Sequence, residues 1–189
     1  MKKSQTIWQD ICKEIKLSRF HILSIVLIFF ISGFIGYFFA GSFSFIDSIL
    51  KSMVDQVKNL NGPELFGFIL SNNARSALVG MFLGLIAGVV PVFNSLFNGL
   101  IVGYVIRKVA IAEGISQAWK ILPHGIFELP AVFIALGIGL RLGASIFTKE
   151  GRKDITKGLY RAVLVYLFVV LPLLIIAAFI ESLLISLYK

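Results

Sequence analysis

The chain has 189 residues, 58% of them hydrophobic and 15% charged, with a mean hydropathy of +0.92; a soluble domain carries about 45–50% apolar and about 25% charged residues. That balance excludes a soluble globule and predicts a membrane protein, whose spans of about 20 residues use up the length and leave no separate soluble domain. The net charge of +8 comes from 18 Lys and Arg against 10 acids, and its clustering at residues 2–19 and 149–161 reads as topology and contact with anionic lipid headgroups rather than nucleic-acid binding.

Residues 1–19 form a basic leader with Lys2, Lys3, Lys13, Lys16 and Arg19, expected in the cytoplasm. Its single cysteine, Cys12, excludes an internal disulfide. The run that follows, "FHILSIVLIFFISGFIGYFFAGS", is longer than the roughly 7–15 residue core of a signal peptide and lacks an A-x-A site. It predicts an uncleaved first span over 21–41.

In residues 43–60, Ile46, Ile49, Leu50, Met53, Val57 and Leu60 recur at helical spacing, while Asp47, Lys51, Asp55 and Lys58 take the other face. Such a helix lies in the membrane interface, and Asn61-Gly62-Pro63 ends it. Residues 65–112 are almost continuously apolar and too long for one span. Pro91 and Asn94 mark the expected crease, giving spans 74–91 and 93–112. A fourth span covers 121–147 and a fifth 160–187, with a kink at Pro172. The expected fold class is an all-α, polytopic transmembrane helix bundle: one membrane domain over 1–189, about five spans and an interfacial helix.

With the N-terminus in the cytoplasm, the positive-inside rule places ten basic residues, at 2–19 and 149–161, on the inner side and seven on the outer. Arg107-Lys108 interrupts the third span, so a second topology stays open, in which residues 76–106 form a hairpin that dips into the bilayer without crossing.

Glycines recur as Gly80, Gly84, Gly88, then Gly99, Gly103, then Gly139, Gly143. Small residues at this spacing let helix backbones approach closely in lipid, either within the chain or as a homo-oligomer seam through Gly80, Gly84 and Gly88. Asn72, Asn73, Asn94 and Asn98 suit hydrogen bonding between helices or a polar path for a solute.

Ionisable groups inside a span cost about 2.5–3.5 kcal/mol at mid-helix and are functional candidates by default. The topology brings Arg75, Arg107, His124, Glu128 and Glu181 to the outer side, which predicts one polar intramembrane cluster there, with Asn72 or Asn73 beside it. Arg141 lies about 20 Å along the helix axis from Glu128 and is expected to reach the cytoplasmic interface instead.

His124 and Glu128 share a helix face, as zinc ligands do in H-E-x-x-H helices. A zinc site needs three or four ligands, and the only other histidine, His21, belongs to the opposite end. No metal and no cofactor is expected. A structural His–Glu pair and a partner, substrate or proton site both stay open. The sequence holds no G-x-S-x-G, no Cys near a His and no P-loop, which points away from an enzyme.

The segment "FILSNNARSALVGMFLGLIAGVVPVFNSLFNGLIVGYV" followed by "LPHGIFELPAVFIALGIGLRLG" resembles the stage II sporulation protein M family of integral membrane proteins. The resemblance covers about residues 20–187, and P-H-G-x-x-E-L-P is its most specific part. Its motif falls on Pro123, His124, Gly125, Glu128 and Pro130, with Asn73 and Asn98-Gly99 as further positions.

The resemblance implies a small multi-pass protein of about five helices without a cofactor. In endospore formers the family's namesake anchors two partners, a lytic transglycosylase-like protein and an amidase or endopeptidase, that remodel peptidoglycan during engulfment. The expected function is therefore a non-enzymatic membrane scaffold or anchor for a cell-envelope protein. The rival is a small transporter or channel component working around Glu128, and a membrane-embedded hydrolase comes third.

Overall fold

The computed structural model describes residues 6–114, 116 and 122–187, with the backbone alone at 122–124 and 187; every element among them is helical. Lys2, Lys3, Lys120 and Lys189 lie outside the described residues. Four described helices are long and apolar enough to cross a membrane, at Ile7–Phe38, Val89–Ala112, Gly125–Ser145 and Lys149–Ser186.

Helix α1 runs over Ile7–Phe38, 32 residues, or about 48 Å against about 30 Å of hydrocarbon. The expected leader is therefore largely helical, and α1 carries it beyond the apolar core. Its buried positions are Ile11, Glu14, Ser18, Ile25, Phe29, Ser32 and Gly36, a seam repeating at three- and four-residue steps.

Helix α2, Phe45–Val57, lies within the expected interfacial segment. It buries Ile46 against Leu100 and Tyr104, and its Asp47 takes an ion pair from Lys108 at 2.9 Å. Lys108, and after it the Tyr104 hydroxyl, hold the Asp47 carboxyl below its ordinary value of 3.8.

Helix α3, Gly62–Phe82, starts with a reciprocal cap: Asn61 Oδ1 accepts from the Glu64 N–H and Glu64 Oε2 from the Asn61 N–H, both at 3.0 Å. It stands where the second span was expected but begins at Gly62, and Asn72, Asn73 and Arg75 lower its hydropathy. A 3₁₀ turn, Leu83–Leu85, leads to Ala87 (φ 51°) and Gly88 (φ 73°), and these two left-handed residues reverse the chain. The crease is thus at residues 86–88, not at Pro91. Pro91 sits in the first turn of helix α4, Val89–Ala112, where its missing N–H has no partner to lose.

Helix α5, Leu122–Ser145, contains Pro130. Helix α6, Lys149–Val165, is capped by Thr148, whose Oγ1 accepts from the Gly151 N–H at 3.1 Å. One π turn, Tyr166–Val170, joins it to helix α7, Leu171–Leu187. The wide turn sits immediately before Pro172, so the helix takes in the proline by local widening.

Two glycine seams set the packing. A Cβ on Gly99 would overlap Phe29 and Ser32, one on Gly103 the Gly33 carbonyl, and one on Gly36 the Leu100 carbonyl; numbers rise together, so α1 and α4 run parallel at backbone contact. In the same way Gly80 meets Leu136, Gly84 meets Gly139, and Gly143 meets Gly84 and Gly88, so α3 and α5 are parallel too. Gly80, Gly84 and Gly88 are buried against α5, so of the two uses open to this stripe the structure shows packing within the chain. Helix α5 is antiparallel to α1, with Phe133 edge-on to Phe29 at 5.1 Å. Phe30, Phe34, Phe93 and Phe179 remain exposed, as suits side chains facing lipid.

Candidate functional site

Two polar clusters lie within this bundle, and one of them contains Glu128 with Asn72 and Asn73. The other centres on Glu14, which is fully buried because it falls on the α1 seam between Ile11 and Ser18. Its Oε1 pairs with Nη2 of Arg141 on α5, and its Oε2 with Nε of Arg161 on α6 at 2.8 Å. Arg141 also donates from Nε to Ser18 Oγ at 3.1 Å. The arginine side chains are 16% and 7% exposed, so the triad is desolvated as well as paired.

One carboxylate thus holds two guanidinium groups from different helices, a clamp across α1, α5 and α6. Gly158 makes the room: a Cβ there would stand 3.0 Å from Arg141 Nη2. Arg141 is, as expected, apart from Glu128 and is held by the leader end of α1; the reading of residues 149–161 as a flanking basic cluster is corrected at Arg161, which is buried and paired. His21 stands on the same α1 segment, with Nδ1 buried and without a hydrogen-bond partner among the described residues.

The second cluster is a cavity of about 120 Å³ further along the bundle from the clamp, at the level of Phe29 and Phe133. Its polar wall consists of Asn72, Asn73 and Ser76 from α3, Asn94 and Asn98 from α4, and Glu128 from α5. Asn98 Nδ2 donates to the Asn94 carbonyl at 2.9 Å and to Asn94 Oδ1 at 2.8 Å, so a backbone acceptor fixes which way the Asn98 amide faces. Asn94 Nδ2 then donates to Ser76 Oγ at 3.2 Å and ties α4 to α3. Ser95, on the cavity's α1 side, donates to the Ile25 carbonyl at 2.8 Å.

Of the residues expected to meet here, Glu128 lines the cavity, and Glu181 on α7 is close enough for the two like charges to interact. Arg75 is exposed on α3. Arg107 is exposed on α4, with its guanidinium 5.3 Å from the Tyr37 ring. Neither makes an ion pair among the described residues. The side chains of His124 and Pro123 lie outside the described residues. Gly125 gives no close helix approach, because a Cβ there would meet only Leu129 of its own helix at 3.6 Å. Pro130 is exposed within α5, while Gly99 works in the α1–α4 seam and Asn73 and Asn98 line the cavity. Among the described residues no three His, Cys, Asp or Glu side chains converge as metal ligands would.

The model of the family described as stage II sporulation protein M matches residues 25–184. The chain belongs to that family. No curated protein and no solved structure matches it. The matched region includes the whole polar cavity, together with Arg141 and Arg161. It begins after Glu14, so the acid of the clamp precedes the matched residues while both of its bases lie within them. Membership and the apolar helices together make this a multi-pass membrane protein.

Proposed function

We propose that this chain is a non-enzymatic membrane scaffold, with the N-terminal end of α1 in the cytoplasm and the α2 end offered to a cell-envelope partner protein. The observation that carries the reading is the Glu14 clamp: the most deeply buried charges join helices to one another and are turned away from any open site. A clamp of this kind serves a protein that must hold a shape. The family's namesake, as an anchor of envelope-acting partners, gives the reading its direction. Helix α2 supplies a docking surface, because Phe45, Met53 and Val54 are exposed beside Lys51 and Asp55.

The test is photocrosslinking in intact cells from a reactive residue placed at Met53 or Val54, with Phe30 on the opposite, α1 flank as the lipid-facing control. Protein adducts at 53 or 54 and none at 30 are expected. Adducts to lipid alone at all three positions would refute the docking role.

A further inference from the structure

We infer that the cavity between α3, α4 and α5 is a binding site for a small monovalent cation such as Na⁺, K⁺ or ammonium, with Glu128 as its counter-charge. The argument starts from which polar atoms are already in use. The Asn98 amide N–H groups serve Asn94, and Asn94 Nδ2 serves Ser76, while Asn72 Nδ2 points to Asn73 Oδ1 at 3.4 Å. What remains without a partner among the described residues is mostly oxygen: both carboxylate atoms of Glu128 and the Oδ1 atoms of Asn72 and Asn98, against the single amide Nδ2 of Asn73. Acceptors outnumber donors among the free groups of this wall.

A surplus of hard oxygen acceptors around one carboxylate is the ligand set of a hard cation. Glu128 is the one carboxylate in the cavity lining, with Glu181 near but outside it, and one lining carboxylate suits one positive charge, since divalent ions draw on several carboxylates or keep most of their water. The depth makes neutralisation necessary, because Glu128 stands six residues into α5, about 9 Å along its axis, where an unpaired carboxylate is costly. The size fits as well. A water needs roughly 10–15 Å³ of such space, so 120 Å³ holds an ion with several waters. Asn72 and Asn98 are exposed, so the cavity opens at the surface of the bundle. This site is independent of partner docking at α2.

The full chain in detergent, with ionic strength held constant, is melted in NaCl, KCl or NH₄Cl against N-methylglucamine chloride, and equilibrium binding of ²²Na⁺ and ⁸⁶Rb⁺ is measured in parallel. At least one cation is expected to saturate and, at a hundredfold excess over its Kd, to raise Tm on the order of 5 °C. Glu128→Gln is expected to lose both the shift and the binding. Asn98→Ala, which keeps the carboxylate, is expected to weaken binding at least tenfold while still melting cooperatively. Equal Tm in all four salts with no radiolabel bound, as when a proton or water alone satisfies Glu128, overturns the proposal. So does a shift that survives in Glu128→Gln.

Discussion

Replacing Glu14 by Gln removes the negative member of the triad and leaves the Arg141 and Arg161 guanidinium groups facing each other, 16% and 7% exposed. Breaking a buried ion pair from one side costs about 3–5 kcal/mol, because the charge left behind keeps its desolvation penalty. For a chain of this size each kcal/mol moves Tm by about 2–4 °C, so a fall on the order of 10 °C is expected. The amide oxygen of Gln can still accept one hydrogen bond, which puts Glu14→Gln at the mild end of that range and Glu14→Leu at the severe end. The assay is thermal unfolding in detergent followed by tryptophan fluorescence. Asp154→Asn is the control, since its pair with Lys157 is 3.5 Å long with side chains 65% and 75% exposed, a type worth about 0–1 kcal/mol. The triple variant Glu14→Leu, Arg141→Met, Arg161→Met is expected to recover most of the loss, because an apolar replacement carries no stranded charge. A Glu14→Gln protein melting within about 2 °C of the native one would refute the clamp.

Gly103→Ala and Gly84→Ala each force a Cβ into a facing backbone and are expected to cost about 1–3 kcal/mol or more, whereas Gly125→Ala makes only an ordinary contact with Leu129 of its own helix and should be neutral or gain up to about 1 kcal/mol; equal melting of the three variants would contradict the seams. Because Asp47 titrates below its ordinary value of 3.8 in the fold, its bond to Lys108 contributes fully above that pH and is lost as pH falls through the lower folded value. Hydrogen exchange in α2 should rise in that acid window, and the rise should be absent in Asp47→Asn. With the exposed native thiol Cys12 first replaced by Ser, a cysteine at Lys51 is expected to react only from the extracytoplasmic side and one at Lys153 only from the cytoplasm; labelling of both from one side would end the proposed orientation.

The helical class, the interfacial helix and the glycine repeats were legible because each writes a period into the sequence. The sequence also put Glu128 beside Asn72 or Asn73, and all three line the cavity; that Asn98 joins them was not read from it. The crease was misplaced because Pro91 looks like a breaker, yet a proline in a helix's first turn breaks nothing, and the reversal was made by Ala87 and Gly88, whose left-handed angles no side-chain pattern announces. The clamp was missed for a different reason. Lys13 and Lys16 made residues 1–19 read as a solvated flank, and Glu14 was hidden among them. A signal was present: Ile11, Glu14, Ser18, Ile25 and Phe29 follow one seven-residue stripe, and an acid on a buried stripe needs a base from elsewhere. That base could not be named from the chain alone, since Arg141 and Arg161 stand 127 and 147 residues away.

Those separations have a consequence for how the protein is made. Ribosomes add about 5–20 residues per second, so α1 enters the bilayer and waits roughly 7–30 s before the second of its two arginine partners, 147 residues downstream, has been synthesised. During that interval Glu14 has no mate, and α1 must rest shallow enough for water or lipid headgroups to solvate the acid. The arrival of α6 draws it into place. The last third of the chain therefore acts as a latch on the first helix, and a ribosome that stops short releases a product marked as unfinished by a single unanswered carboxylate.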